Sequence, residues 1–247
     1  PEDRDRLTDW SDAVSPLLGV SVPDAAKARA VAAAEEFHAY LGALLDDRRK
    51  HPGDDLLSAL LVAEEAGEKL HRVELLSLAA TLYSAGHRTT RDLFTNGMSV
   101  LLSSRERWHD VVERRVGVPE VVEEFLRFET PTLFVARVPL EATTIGGVAV
   151  AAFEPLLVFL AAANRDPAVF PEPNTFRPGR GGAPALSFAY GAHFCLGASL
   201  ARSEAEVMLA AVSRRLPRLA LAARGELRWH QRGPFRGLDA LAVLPEG

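Results

Sequence analysis

Cys195, the only cysteine among 247 residues, lies in Phe188-Ala189-Tyr190-Gly191-Ala192-His193-Phe194-Cys195-Leu196-Gly197. The residues after it, Ala198 to Leu216, read as a helix. The sulfur therefore meets unpaired backbone N–H groups and the positive end of a helix, both of which favour a thiolate. Gly191 and Gly197 carry no Cβ, so the backbone can turn tightly and let a flat ligand lie close. A thiolate held this way suits a metal that brings its other ligands with it. The competing reading is a small buried hydrophobe, the usual fate of a lone cysteine. Zinc is a poor match, since no His/Cys cluster offers four ligands at zinc spacing.

Three further constellations can carry chemistry. Ala85-Gly86-His87-Arg88-Thr89-Thr90 falls inside a long helical pattern. A helical threonine at 89 can bond back to the carbonyl of Ala85 and open the helix beside Gly86, leaving a notch for a diatomic ligand; a kinked core helix is the plainer alternative. Glu124 and Arg127 stand three apart on a helix and share a face, which usually means a solvated surface pair. Arg137, in a valine-rich stretch, needs an anion if it points inward from a strand and nothing if it points outward.

The elements that must position these groups follow from patterning. Pro23 to Lys50 reads as a helix, with Pro-Asp at its start and a basic cluster at its end. Asp55 to Ala66 reads as a shorter helix ending at Gly67, and Leu70 to Leu102 as the longest one. Ser103 and Glu106 have capping-box spacing, so a helix is expected to start there. Pro119 introduces a helix over Glu120 to Phe128. Leu133 to Val150, rich in valine, threonine and isoleucine with Gly146-Gly147 at a turn, reads as short paired strands. A helix near Leu156 to Asn164, an irregular proline- and glycine-rich loop over Asp166 to Pro184, and a terminal hairpin over Trp229 to Val243 complete the expectation.

Composition narrows the partners. Hydrophobic residues make up 48%, charged residues 25%, and the formal net charge is −5. That is ordinary for a globular protein and argues against nucleic acid. The longest apolar run, Val148 to Ala163, is interrupted by Glu154 and Pro155, so no membrane span is expected. One cysteine fits a reducing compartment, and no targeting segment opens the chain, so a cytoplasmic location is expected.

The loop pattern F-x-x-G-x-H-x-C-x-G resembles the haem-binding loop of the cytochromes P-450, a family in which a cysteine thiolate ligates haem iron. Three weaker patterns stand in that family's order: A-G-x-x-T at Ala85 to Thr89, E-x-x-R at Glu124 to Arg127, and an F-x-P-x-R stretch over Phe176-Arg177-Pro178-Gly179-Arg180. The resemblance covers almost the whole chain. It implies a mainly α fold with small β-sheets, in which residues 1–247 form a single haem domain lacking the family's upstream part. It also implies a monooxygenase that inserts one oxygen atom into an apolar small molecule, in secondary metabolism. The cofactor would be haem b, fed with electrons from NAD(P)H by a ferredoxin and ferredoxin reductase.

Residue by residue, the resemblance makes Cys195 the iron ligand, with Phe188, Gly191 and Gly197 shaping its loop. Arg137 and His193 would hold the haem propionates. Thr89 would be the catalytic hydroxyl assisting proton delivery. Thr81, Ser84, Ala85, Leu133, Phe134 and Phe235 would face substrate. Glu124, Arg127 and Arg180 would tie helix to loop. Arg88 departs from the pattern, standing where the family has an acid, and a guanidinium offers no carboxylate-type proton relay. On that account an acid restored at 88 is expected to improve the coupling of electron use to product. The departure also leaves room for a catalytically silent homologue that acts as a scaffold for a biosynthetic enzyme, or for peroxide as oxidant.

Overall fold

The computed structural model describes residues 3–65, 71–222 and 227–246. It divides into two compact units, Pro1–Arg88 and Thr89–Gly247, and the division falls inside one long helix. In the first unit the described helices are α1 (Arg4–Val14), α2 (Asp24–Lys50), α3 (Leu56–Glu65) and the first part of α4 (Arg72–Leu102). Asp24 in the first turn of α2 and Arg48, Arg49 and Lys50 in its last complement the helix dipole. Ala30, Ala33, Phe37 and Leu41 recur every three or four residues, so α2 buries one stripe. Phe37 stacks on Trp10 of α1 with ring centroids 5.5 Å apart, and Ala79 of α4 joins the same core.

The second unit carries the rest of α4 with α5 (Arg105–Val112), α6 (Val118–Phe128), the single turn α7 (Leu160–Ala163) and α8 (Ala198–Arg215). Its described strands form two-stranded antiparallel sheets. β1 (Val135–Arg137) pairs with β4 (Leu156–Val158), and β2 (Thr143–Ile145) with β3 (Val148–Val150). β5 (Ala220–Leu221) pairs with β8 (Val243–Leu244), and β6 (Trp229–Arg232) with β7 (Phe235–Leu238). The core joins Leu93, Met98 and Leu101 of α4 to Trp108, Val122, Phe125 and Leu209. α4 and α6 approach closely because position 97 is glycine: a Cβ there would sit 2.2 Å from the ring of Phe125, itself fully buried.

The mainly helical architecture with small sheets is the one expected. Three local readings are corrected. Ser103 does not start α5; its hydroxyl donates back to Val100 O at 2.7 Å, and extended Ser104 accepts from Arg107 N. Leu156 to Val158 is a strand rather than the start of a helix. The run is apolar enough for either, and pairing with Val135–Arg137 decides it. In the terminal segment only Trp229–Leu238 is a hairpin, because Val243 pairs with Leu221 instead. Ala66, Gly67 and Leu70, expected to bound α3 and α4, lie outside the described residues. α4 is helical without a break through Ala85–Thr90, so the expected opening of the helix is not seen.

The two glycines of α4 make a matched test of packing against propensity. Gly86 has open space where a Cβ would go. Gly86→Ala is expected to raise stability by about 0.5–1 kcal/mol, and Gly97→Ala to lower it by about 1–3 kcal/mol through overpacking. Urea or thermal unfolding of both variants checks the opposite signs.

Candidate functional site

The site is built on a buried carboxylate. Glu124 and Arg127 lie on the inner face of α6, 3% and 2% exposed. Arg127 grips Glu124 with a parallel pair of bonds, Nε to Oε2 at 2.8 Å and Nη2 to Oε1 at 2.7 Å. Arg180 adds a second fork at 3.2 Å for each bond, and the Arg177 N–H donates to Oε1 at 2.7 Å. Burial alone would raise the Glu124 carboxyl. The bonds from Arg127, Arg177 and Arg180 outweigh it and hold the group below the ordinary carboxylate range. The remaining guanidinium N–H groups reach backbone carbonyls: Arg127 those of Asn164, Pro173 and Thr175, Arg180 those of Pro171 and Thr175. One charge cluster thereby folds the proline- and glycine-rich loop onto α6.

The same cluster leads to the cysteine. Asn164, fully buried at the end of α7, accepts from Leu186 N at 2.7 Å and donates to Ser187 Oγ at 2.9 Å. Ser187 Oγ in turn donates to Leu126 O of α6 at 2.6 Å. Phe188, the next residue, accepts from Cys195 N at 3.1 Å, closing the loop. Its ring lies beneath the Arg202 guanidinium of α8, 4.6 Å from the ring centre, and meets Phe194 edge-on. Arg202 is itself paired with Glu123.

Cys195 is exposed, two residues before the cap of α8, with Cys195 O accepting from Ala198 N at 3.2 Å. Gly191 has φ +83°, the left-handed region glycine favours, and nothing lies within 4 Å of a Cβ placed at Gly191 or Gly197. Ala189 also sits at φ +58°, a strained choice for a residue with a Cβ. Around the sulfur the loop turns apolar groups outward: Tyr190, Phe194 and Leu196 are 84%, 53% and 85% exposed. Exposed apolar groups clustered like this mark a binding surface. Among the described residues no three His, Cys, Asp or Glu side chains gather to hold a metal ion. The donor set here is a single thiol with glycine-cleared, apolar surroundings, and that fits a planar, apolar macrocycle carrying its own metal.

The other expected residues are placed as follows. His193 is exposed in the short 3-10 turn Gly191–His193. Arg137 ends β1 half-buried, with Nη1 donating to Ala136 O at 2.8 Å. Leu133 and Phe235 are brought together, since Leu133 N donates to Pro234 O at 2.8 Å and Thr132 bridges Phe235. Phe134 is 7% exposed and packs against Phe159, with ring centroids 5.5 Å apart. Thr81, Ser84 and Ala85 belong to the first unit; Thr81 Oγ1 donates to Ser77 O at 2.7 Å. Thr89, the first residue of the second unit, is half-buried on α4.

Two residues that sequence reasoning missed matter here. Asn164 was detectable only as the polar residue ending an apolar run. Asp12 carried no signal at all: it pairs with Arg88, whose side chain is 1% exposed on α4. The guanidinium in the acid's place is therefore committed to a carboxylate from α1. An acid at 88 would face Asp12 directly, so that substitution is expected to cost stability.

Comparison with known proteins places these features. The family model for Cytochrome P450 matches residues 98–216, which include Glu124, Arg127, Arg137, Arg180 and the Cys195 loop. The chain is 39% identical to the cytochrome P450 monooxygenase PikC of Streptomyces venezuelae, over 93% of this chain and 59% of that protein. It is 37% identical to the mycinamicin IV hydroxylase/epoxidase of Micromonospora griseorubida, over 98% of this chain and 60% of that protein. Among solved structures, Mycobacterium smegmatis CYP164A2 with econazole bound superposes with a TM-score of 0.92 at 33% identity, covering 98% of this chain and 61% of that one. The chain thus spans about three-fifths of the length of these relatives.

The two charge clusters have separable tests. Glu124→Gln breaks the buried forks and is expected to cost about 3–5 kcal/mol. Because the folded carboxyl titrates below its ordinary value of 4.5, its contribution is present above that pH and is lost as pH falls through the depressed value. The fall of melting temperature below about pH 4.5 should therefore be shallower in Glu124→Gln than in the parent, measured by thermal unfolding across pH. Arg88→Glu is expected to destabilise by a similar amount, about 3–5 kcal/mol. The double variant Asp12→Arg with Arg88→Glu should recover much of that loss in a double-mutant cycle.

Proposed function

Because the chain belongs to the cytochrome P450 family, we propose that residues 1–247 act as a haem domain with monooxygenase activity, inserting one oxygen atom into an apolar small molecule. Its relatives, a monooxygenase and a hydroxylase/epoxidase by name, support hydroxylation or epoxidation. The relative named for mycinamicin supports a place in secondary metabolism. The observation that carries the reading is the exposed Cys195 sulfur on a loop cleared by Gly191 and Gly197 and fringed by outward apolar side chains.

In this reading Cys195 is the one protein ligand to the iron of haem b. Haem, when bound, supplies the oxygen chemistry, using electrons from NAD(P)H passed through a ferredoxin and its reductase. The chain's own residues do the rest. The Cys195 backbone is fixed by its N–H bond to Phe188 O, which holds the main chain that carries the sulfur. Arg137 and His193 would serve the propionates, and a guanidinium fork suits a carboxylate. Thr89 holds a hydroxyl proton beside a residue that has none to give, since Arg88 stays charged and paired with Asp12. Leu133, Phe134 and Phe235 of the second unit are assigned to substrate as apolar contacts, and Thr81, Ser84 and Ala85 of the first unit are assigned to it separately, bringing two hydroxyls. No helix among the described residues is long and apolar enough to cross a membrane, and a cytoplasmic site of action is proposed.

A reduced-plus-carbon-monoxide difference spectrum of the haem-loaded protein tests the assignment. A red-shifted Soret band of the thiolate type is expected, and Cys195→Ser should abolish it while leaving far-ultraviolet circular dichroism unchanged. Failure to take up haem, or an unchanged band in Cys195→Ser, would overturn the proposal.

A further inference from the structure

A cavity of about 240 Å3, which Cys195 does not line, is formed where the end of α6, α7 and the β6–β7 hairpin meet. Its charged lining is the Arg165 and Arg236 guanidiniums and the Glu129 carboxylate, with Arg127 beside them. Arg165 lies over the Phe128 ring, 3.8 Å from its centre; Nη2 donates to Phe128 O at 2.5 Å and Nη1 to Asn174 Oδ1 at 2.9 Å. Arg236 lies over Trp229 at 3.5 Å, and its Nη1 is paired with Glu129. Glu129 is also the acid nearest Arg165, at 3.9 Å. One carboxylate thus serves two guanidiniums. Arg127, which also borders the cavity, brings no spare acid, because Glu124 is already shared between it and Arg180. The network holds four guanidiniums against two carboxylates, an excess of positive charge on partly buried groups where screening by water is reduced. Burial pushes the Arg165 guanidinium below its ordinary value, and although Glu129 opposes this, Arg127 and Arg236 add to it. The apolar lining comes from Leu133, Ala161 and Phe128, whose ring is covered on one face by Arg165.

We propose that this cavity binds a short-chain organic carboxylate, with its oxygens on Arg236 beside the Arg165 charge and its carbon chain against Leu133 and Ala161. The Arg236 guanidinium, held by stacking on Trp229 with only Nη1 committed to Glu129, is pre-oriented for a carboxylate, and Arg165 adds a fixed positive charge beside it. Leu133 is the one lining residue also assigned to substrate. The proposal does not depend on haem or turnover, so it stands or falls separately from the monooxygenase reading.

Isothermal titration of the chain at pH 7 with butyrate, n-butanol and inorganic phosphate tests it. Butyrate is expected to bind saturably, n-butanol not to bind, and phosphate to bind more weakly than butyrate. Arg236→Gln should weaken butyrate at least about tenfold, with Arg236→Lys between it and the parent. Glu129→Gln, which removes the competing carboxylate, should tighten butyrate several-fold, and it keeps the test open if the arginine variants misfold. Absence of saturable butyrate binding, equal affinity in Arg236→Gln, weaker binding in Glu129→Gln, or phosphate binding as well as butyrate would each overturn the proposal.

Discussion

The second unit depends on one carboxylate kept charged without water. Glu124 accepts five hydrogen bonds, two from each of two guanidiniums and one from a backbone N–H. Stripping such a group of solvent costs several kcal/mol, and a single partner would barely return it. Here every lone-pair direction is used, and the leftover guanidinium hydrogens are spent on carbonyls of a loop that makes few backbone bonds of its own. That second step is what turns a costly pair into a structural device. An irregular loop has orphan carbonyls to satisfy, and a buried arginine has donors to spare. Each solves the other's problem.

The consequence runs along the chain to the cysteine. Arg127 bonds Asn164 O, and the Asn164 side chain holds Leu186 and Ser187, which set the start of the loop that Phe188 and Cys195 close. Phe188 also packs against the apolar core, and the other links in this path are hydrogen bonds. A loop positioned by polar bonds can leave its apolar side chains facing outward, as Tyr190, Phe194 and Leu196 do. Had the loop been held by burying those rings, nothing flat could lie against it. The division of labour between a polar base and an apolar crest is therefore a requirement of the proposed haem site.

Much of this was legible in residue order. The glycine-flanked cysteine, the E-x-x-R pair and the helices bounded by Pro23 and by Pro119 are local signals, and local signals are what sequence reading resolves. The misreadings share a cause. Leu156 to Val158 is apolar enough for helix or strand, and only β1, distant in sequence, selects strand. Ser103 and Ser104 are both able caps, and backbone geometry chooses the second. Ala189 at positive φ has no signature, since alanine is nowhere a preferred residue for that conformation. What sequence could not supply was the partner: which carbonyl, which strand, which acid.

Arg88 shows how far that limit reaches. Read along the chain, a guanidinium beside Thr89 is a broken local rule. Placed in the first unit, it is half of an ion pair whose other half, Asp12, comes from a separate helix. A buried arginine without an acid would be untenable, and an acid at 88 beside Asp12 would be equally so, because two carboxylates in low dielectric cannot both stay ionised. The two positions therefore constrain each other's charge even though neither alone signals the coupling. A residue that breaks a pattern is best judged by what it pairs with. Here the pairing explains why the arginine is stable where it stands, while leaving Thr89 as the neutral hydroxyl next to it.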